Sequence, residues 1–202
     1  ATRLYKFFVN ETAEPDQALI SALSNAYLGN NYSIKAVLRT LVNSPQFRDP
    51  ANFYQPNSWP PEFVVRAIKE TGWVGFSVAT AITPLTNMGQ LLFEPPDVNG
   101  WELGPGWIST SSMLARMNFS STLAANQRFN LARDAQPYRQ TPERVLEFAL
   151  SRFRTMGFAT TQTNSMIEYL KSTAWTGADA QLQQRVPGLT RLIVGSGEYQ
   201  FV

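Results

Sequence analysis

The chain has 202 residues, carries a formal net charge of +2 and contains no His and no Cys. The missing residue types exclude disulfides, thiolate metal sites and a Ser-His-Asp triad within this chain, so we expect neither a transition-metal site nor a cofactor. The basic residues are scattered along the sequence, which argues against nucleic-acid binding.

Helical spacing dominates the start of the chain. Residues 4–9 read as a helix already under way, so we expect no signal peptide and a first residue that is a cut end. An apolar helical face follows Pro15 and a second follows Ser33, a good N-cap residue. These patterns predict two helices, of which the first ends near Gly29 and the second before Pro45.

The middle of the chain is punctuated by proline. Residues 49–61 combine four Pro with aromatic residues and are predicted to form an extended connection that leads into the next helix. Residues 75–82 and 84–92 are predicted to form two short helices that are split at Pro84, because the residue before a proline is disfavoured in the α region.

Residues 93–107 contain three Pro, three Gly and two Trp and show no periodicity. We predict an ordered loop, since each Trp can bury about 200 Å² and offset the cost of fixing the backbone. A tight turn with positive φ is predicted at Gly100. Trp101 is expected to be the buried anchor that closes the loop onto the helices containing Met88 and Leu114.

Helical patterns continue to the end of the chain and predict an all-α fold, an irregular multi-helix bundle with a long ordered Pro/Gly/Trp-rich loop. The last helical run, residues 182–194, is expected to be interrupted at Pro187. The predicted organisation is a helical core over residues 1–125 that includes the aromatic loop at 93–107, a linker or excursion at 126–140, and C-terminal helices at 141–202 that pack on the same core.

Two short segments resemble each other within the chain. Residues 39–47 and 191–199 align through an Arg, two aliphatic residues, a Ser and a final aromatic residue. A true duplication would explain the match, but a helix followed by a packed aromatic side chain is also a common way to end a helix. Either way, the two copies should have similar local structures.

The loop contains the only constellation that suggests chemistry. Glu94, Asp97 and Glu102 lie within nine residues and are flanked by Trp101 and Trp107, a combination that suits glycoside hydrolysis or sugar binding. Alternatively, Asp97 caps a turn and the Trp rings are core residues; the spacing fixes no distance between the carboxylates, so both interpretations stay open. Arg116, on the following helix, is predicted either to pair with a buried carboxylate or to bind an anion.

We therefore single out no catalytic residue, and the candidate ligand-binding residues are Asp97, Trp101, Glu102, Trp107 and Arg116. Aromatic residues expected at the surface would mark a partner interface if they formed a contiguous apolar patch. These residues are Phe53, Tyr54, Tyr138 and Trp175.

Six runs of sequence resemble one bacterial family, the domain of unknown function number 1800. They are LYKFFV (4–9), YSIKAVLRTLVNSPQF (32–47), PPEFVVRAI (60–68), MGQLLFEPPDVNGW (88–101), MLARMNF (113–119) and LIVGSGEYQF (192–201). The likeness is to the C-terminal half of the family's large proteins, many of which look exported and carry an additional N-terminal half that contains histidines. The resemblance implies no established activity.

Only 16% of the residues are charged, against about 25% in ordinary soluble domains, which suits a periplasmic or extracellular protein or a subunit covered by partners. No run approaches the roughly 20 apolar residues of a membrane span. We therefore expect a non-enzymatic structural or protein-interaction module, a fragment or subunit of an exported bacterial protein, whose partner is another protein or the missing N-terminal half. The alternative is a carboxylate-based hydrolase or glycan-binding domain that uses the loop at 93–107.

Overall fold

The structure is a computed structural model that describes residues 1–75, 77–102, 104–125, 130–153, 155 and 157–201. These residues contain ten α-helices and no β-strand, so the prediction of an all-α fold is confirmed. No helix in the described part is long and apolar enough to cross a membrane. The chain divides into two compact units, Ala1–Asn57 and Ser58–Phe201, and the division falls within the proline-rich connection predicted at 49–61.

The first unit is a small helical unit whose helices begin where the sequence predicts. Asp16 accepts a hydrogen bond from the Ala18 N–H, and the Ser33 hydroxyl accepts one from the Ala36 N–H, so both side chains act as N-caps. The helices are α1 (Thr2–Phe8), α2 (Gln17–Gly29) and α3 (Ile34–Val42). The second and third of them pack against each other. The six buried core residues are Tyr5, Val9, Leu19, Leu23, Val37 and Leu41.

The second unit is larger and is organised around its last helix. Its helices are α4 (Pro60–Thr71), α5 (Val78–Asn87), α6 (Thr110–Ala124), α7 (Leu131–Asp134), α8 (Pro142–Arg152), α9 (Thr160–Leu170) and α10 (Asp179–Val194). Helix α10 packs on four others, most extensively on α6 and α7 and less on α8 and α9. The core of the unit therefore surrounds α10.

Two predicted helix breaks are wrong. Helix α5 continues through Pro84, and α10 continues through Pro187. Leu85 and Met88, which follow Pro84, are both buried, so we attribute the continuation to tertiary packing that outweighs the local cost of proline. Tertiary packing also explains the glycine that follows Pro187. A Cβ on Gly188 would overlap the Tyr169 hydroxyl of α9, so a larger side chain does not fit there.

The described part of the segment predicted as a linker or excursion, residues 130–140, belongs to the core. It forms α7 and a 3₁₀ turn at Gln136–Tyr138, and Leu131, Ala132 and Ala135 are buried in the main hydrophobic cluster. The polar composition of the segment predicted a linker, because only three of its described side chains, all small or aliphatic, are buried. Residues 126–129 of the segment lie outside the described residues.

The two similar segments do have the same local structure, as predicted. After α3, the Ser44 hydroxyl donates to the Leu41 carbonyl at 2.7 Å and accepts from the Phe47 N–H at 3.3 Å. After α10, Ser196 makes the same two bonds, to the Ile193 carbonyl at 2.7 Å and from the Tyr199 N–H at 3.3 Å. In both places the serine connects the end of the helix to a 3₁₀ turn that carries the aromatic residue.

Candidate functional site

The aromatic loop and its flanking helices line a half-open cavity of about 340 Å³ in the second unit. Helix α5 ends at Asn87, and α6 begins after Ser109, which forms a reciprocal cap with Ser112. Between them, Gly100 has φ of +90°, as the predicted turn requires. The cavity is lined by Thr86, Asn87, Met88, Gly89, Pro96, Trp101, Glu102, Gly106, Trp107, Ser109, Ser111 and Ser112.

Trp107 is the buried anchor of the loop, and the prediction that Trp101 has this role is wrong. Trp107 is 5% exposed, and its ring centroid lies 5.8 Å from that of Trp59. Its carbonyl accepts a hydrogen bond from the Ser112 hydroxyl at 2.8 Å, which joins the loop directly to α6. Trp101 is only half-buried, and Leu114, expected beneath the loop, is exposed.

The carboxylates of the loop do not converge on the cavity. Asp97 is exposed and its carboxylate accepts the Asn99 N–H at 2.7 Å, so it caps the turn. Glu102 does line the cavity, with its carboxylate so close to Gly106 that a Cβ there would overlap it. The loop thus offers one carboxylate at the cavity, whereas glycoside hydrolysis ordinarily uses two.

Arg116 lies in the core and does not line the cavity. Its side chain is fully buried and donates to the Gln200 side-chain oxygen at 2.9 Å and to the Ser58 carbonyl at 2.7 Å. The guanidinium carbon also lies 4.9 Å from the centre of the Phe63 ring. Burial lowers the pKa of Arg116 to about 10, an effect that the charge of Glu62 partly offsets. Both hydrogen-bond acceptors are neutral, so the geometry differs from the predicted Arg–carboxylate pair.

A second polar cluster in the core was missed by sequence reasoning. The Tyr199 hydroxyl donates to Glu70 at 2.6 Å, and Arg66 pairs with the same carboxylate at 3.2 Å while its guanidinium lies over the Tyr199 ring. Burial and the Glu70 charge raise the pKa of Tyr199. The repeated segment identified Tyr199 as a packed aromatic residue, but its partners lie more than 120 residues away in the sequence. The cluster attaches the end of the chain to α4.

The first unit exposes several large hydrophobic side chains. Six buried hydrophobic residues form its core and four partly buried ones pack against it, whereas eight large ones are exposed. The exposed residues are Phe7, Phe8, Leu28, Tyr32, Ile34, Val42, Phe53 and Tyr54. In the second unit, Phe93, Val98 and Tyr138 are also exposed, while Trp175 is half-buried and donates from its indole to the Arg139 carbonyl. Of the four aromatic residues expected at the surface, three are therefore exposed.

Comparison with known proteins identifies one family. A family model described as a protein of unknown function (DUF1800) matches residues 1–201. No curated protein and no solved structure matches the chain.

Proposed function

This chain belongs to the DUF1800 family of proteins of unknown function, and we propose that it acts as a non-enzymatic structural or protein-interaction module. The observation that carries this proposal is the first unit, which exposes eight large apolar side chains beside a buried core of six. Burying one such side chain contributes about 1.5–3 kcal/mol. Extended apolar surfaces are typical of partner interfaces.

We further propose that the chain corresponds to the C-terminal half of larger family members and works outside the cytoplasm, as a part or subunit of an exported protein. The order of the family-like sequence runs supports the first point. The low content of charged residues, 16% against about 25% in ordinary soluble domains, supports the second, because a surface poor in charge suits a protein outside the cytoplasm or a subunit covered by partners. Fractionation of host cells, followed by detection of the chain in the periplasm and medium, tests the location.

We expect a photo-crosslinking phenylalanine analogue at Phe7 or Phe53 to capture a partner of discrete mass in intact cells of the host. Both native side chains are aromatic and exposed, so the analogue changes the surface little. The matched control places the analogue at Glu168, an exposed polar position on α9. Adducts that form equally at Glu168, or no adducts at either aromatic position, would contradict an interaction function for the first unit.

A second candidate function is glycan binding in the loop cavity. Trp101 and Glu102 line that cavity together with the hydroxyl-bearing residues Thr86, Ser109 and Ser111. Trp107 also lines the cavity, and its buried indole N–H has no hydrogen-bond partner among the residues that the structure describes. An aromatic face with a few polar groups is the pattern with which proteins hold a sugar ring. Because Asp97 caps its own turn, binding is favoured over two-carboxylate hydrolysis.

Isothermal titration of the chain with a panel of neutral oligosaccharides tests this candidate. If a sugar ring stacks on Trp101, then Trp101→Ala should weaken binding by about tenfold or more, since loss of an aromatic contact typically has a large effect. Asp97→Asn is the matched control, because Asp97 is absent from the cavity lining, and it should leave the affinity unchanged. Equal binding by parent and Trp101→Ala would place the sugar elsewhere.

A further inference from the structure

We propose that one face of α3 is a docking site for an amphipathic, acidic α-helix of another protein. The face consists of Ile34, Leu38 and Val42, which follow each other at intervals of four residues, and we call it the α3 outer face. This inference rests on the proposed interaction function and specifies its site and the chemistry of the partner.

The first step is a comparison with α10, the helix that precedes the other copy of the repeated segment. The alignment of 39–47 with 191–199, extended along both helices, places Ile34 opposite Val186 and Val42 opposite Val194. In α10 these positions are 3% and 0% exposed, whereas in α3 they are 52% and 44% exposed. The same kind of side chain is thus covered in one copy and uncovered in the other.

The difference is confined to this face. On the inward side of α3, Val37 and Leu41 are buried, and so are their counterparts Leu189 and Ile193 in α10. Helix α3 packs mainly on α2, but α10 packs on α6 and α7 in addition to α8 and α9. Helix α10 is therefore surrounded by more helices than α3, and its residues that correspond to Ile34 and Val42 are buried.

The covered copy also indicates how close the partner helix can come. A Cβ placed on Gly195 would lie 3.0 Å from the Ser120 hydroxyl of α6, so α6 approaches α10 tightly at that point. The equivalent residue after α3 is Asn43, which has a side chain. A helix that crosses α3 at this level consequently needs Gly or Ala where α6 has Ser120.

The charged residues beside the α3 outer face indicate the charge of the partner helix. Lys35 and Arg39 are the only charged residues between positions 17 and 42, both are exposed, and they lie one turn apart beside the α3 outer face. Neither forms an ion pair with another described residue. A partner helix with acidic residues along one edge of its apolar stripe would complement them.

The test uses the full chain and a fluorescein-labelled peptide built on α6, residues 110–125. It carries Arg116→Leu to extend the apolar stripe, Ser120→Ala to admit Asn43, and Met117→Glu, at an exposed position on the same side of the helix as Ser120, to supply the acidic edge. We expect saturable binding by fluorescence anisotropy. Ile34→Glu or Val42→Glu in the chain should weaken it by about tenfold or more. The matched control is Val65→Glu, at an exposed apolar position on α4 in the second unit, which should leave the affinity within about twofold of the parent. A peptide with Met117→Lys should bind more weakly than the acidic one.

Absence of binding, or an equal loss with Val65→Glu, would overturn the assignment. Sedimentation velocity gives a further decisive outcome: a dimer that Ile34→Glu abolishes would show that a second copy of this chain covers the face, which would also overturn it. Crosslinks from Phe7 or Phe53 without peptide binding would leave the interaction function standing and remove only the α3 site. If neither the crosslinks nor the peptide binding were observed, both proposals would be overturned.

Discussion

Trp107→Ala is expected to lower the free energy of unfolding by about 3–5 kcal/mol, the range for large-to-small changes of core aromatic residues. The Trp107 ring is 5% exposed and packs against Trp59 of the segment that leads into α4. Its removal would leave a cavity between the loop and α6. Trp107→Phe keeps most of the aromatic volume and should cost less than about 1.5 kcal/mol.

Denaturant unfolding of the parent and four variants checks this ranking. Trp101→Ala, at a half-buried position, should cost clearly less than Trp107→Ala. Asp97→Asn should cost no more than about 2 kcal/mol, because Asp97 is exposed and only caps a turn. A Trp101→Ala protein as unstable as Trp107→Ala would show that the two rings share the anchoring role.

The second large effect is expected at Arg116. Arg116→Ala should cost about 3–5 kcal/mol, because it opens a cavity and leaves the Gln200 side-chain oxygen and the Ser58 carbonyl without a buried donor. Burial lowers the pKa of Arg116 only to about 10, so at neutral pH the folded protein holds this positive charge in its interior.

Arg116→Met separates volume from charge. Methionine fills most of the space and removes the buried charge, but like alanine it leaves the Gln200 side-chain oxygen and the Ser58 carbonyl without a buried donor. We therefore expect Arg116→Met to be more stable than Arg116→Ala by thermal and denaturant unfolding. Should the two variants be equally destabilised, the hydrogen bonds to Gln200 and Ser58, and not side-chain volume, would account for the loss.

Local interactions made several features of the fold predictable from the sequence. The all-α fold follows from apolar residues at helical spacing, and the cap at Ser33 follows from a hydroxyl that reaches the backbone N–H group three residues ahead. The turn at Asp97, with positive φ at Gly100, also involves only neighbouring residues. The matching ends of α3 and α10 depend on a serine that bonds the residues three positions before and three positions after it.

The candidate site was predictable only in part. The composition of 93–107 identified a loop with Trp101, Glu102 and Trp107, and the structure brings these three side chains to one cavity. It leaves Asp97 and Arg116 out of the lining. The Asp97 carboxylate accepts a hydrogen bond within its own turn, and the Arg116 side chain points into the core. The sequence pattern of a helix does not distinguish a face that contacts a loop from a face that contacts the core.

What the sequence by itself determined was therefore the set of interactions within about one helical turn: which segments are helical, where they are capped and where the backbone turns. Only the tertiary structure decided that Trp107 and not Trp101 is buried, that Pro84 and Pro187 remain inside helices, and that Arg116 bonds residues 58 and 84 positions away. The physical reason is that burial depends on which surfaces meet. Trp101 and Trp107 are residues of the same type with similar neighbours in sequence. They differ in burial because a distant element, the Trp59 segment, packs against Trp107.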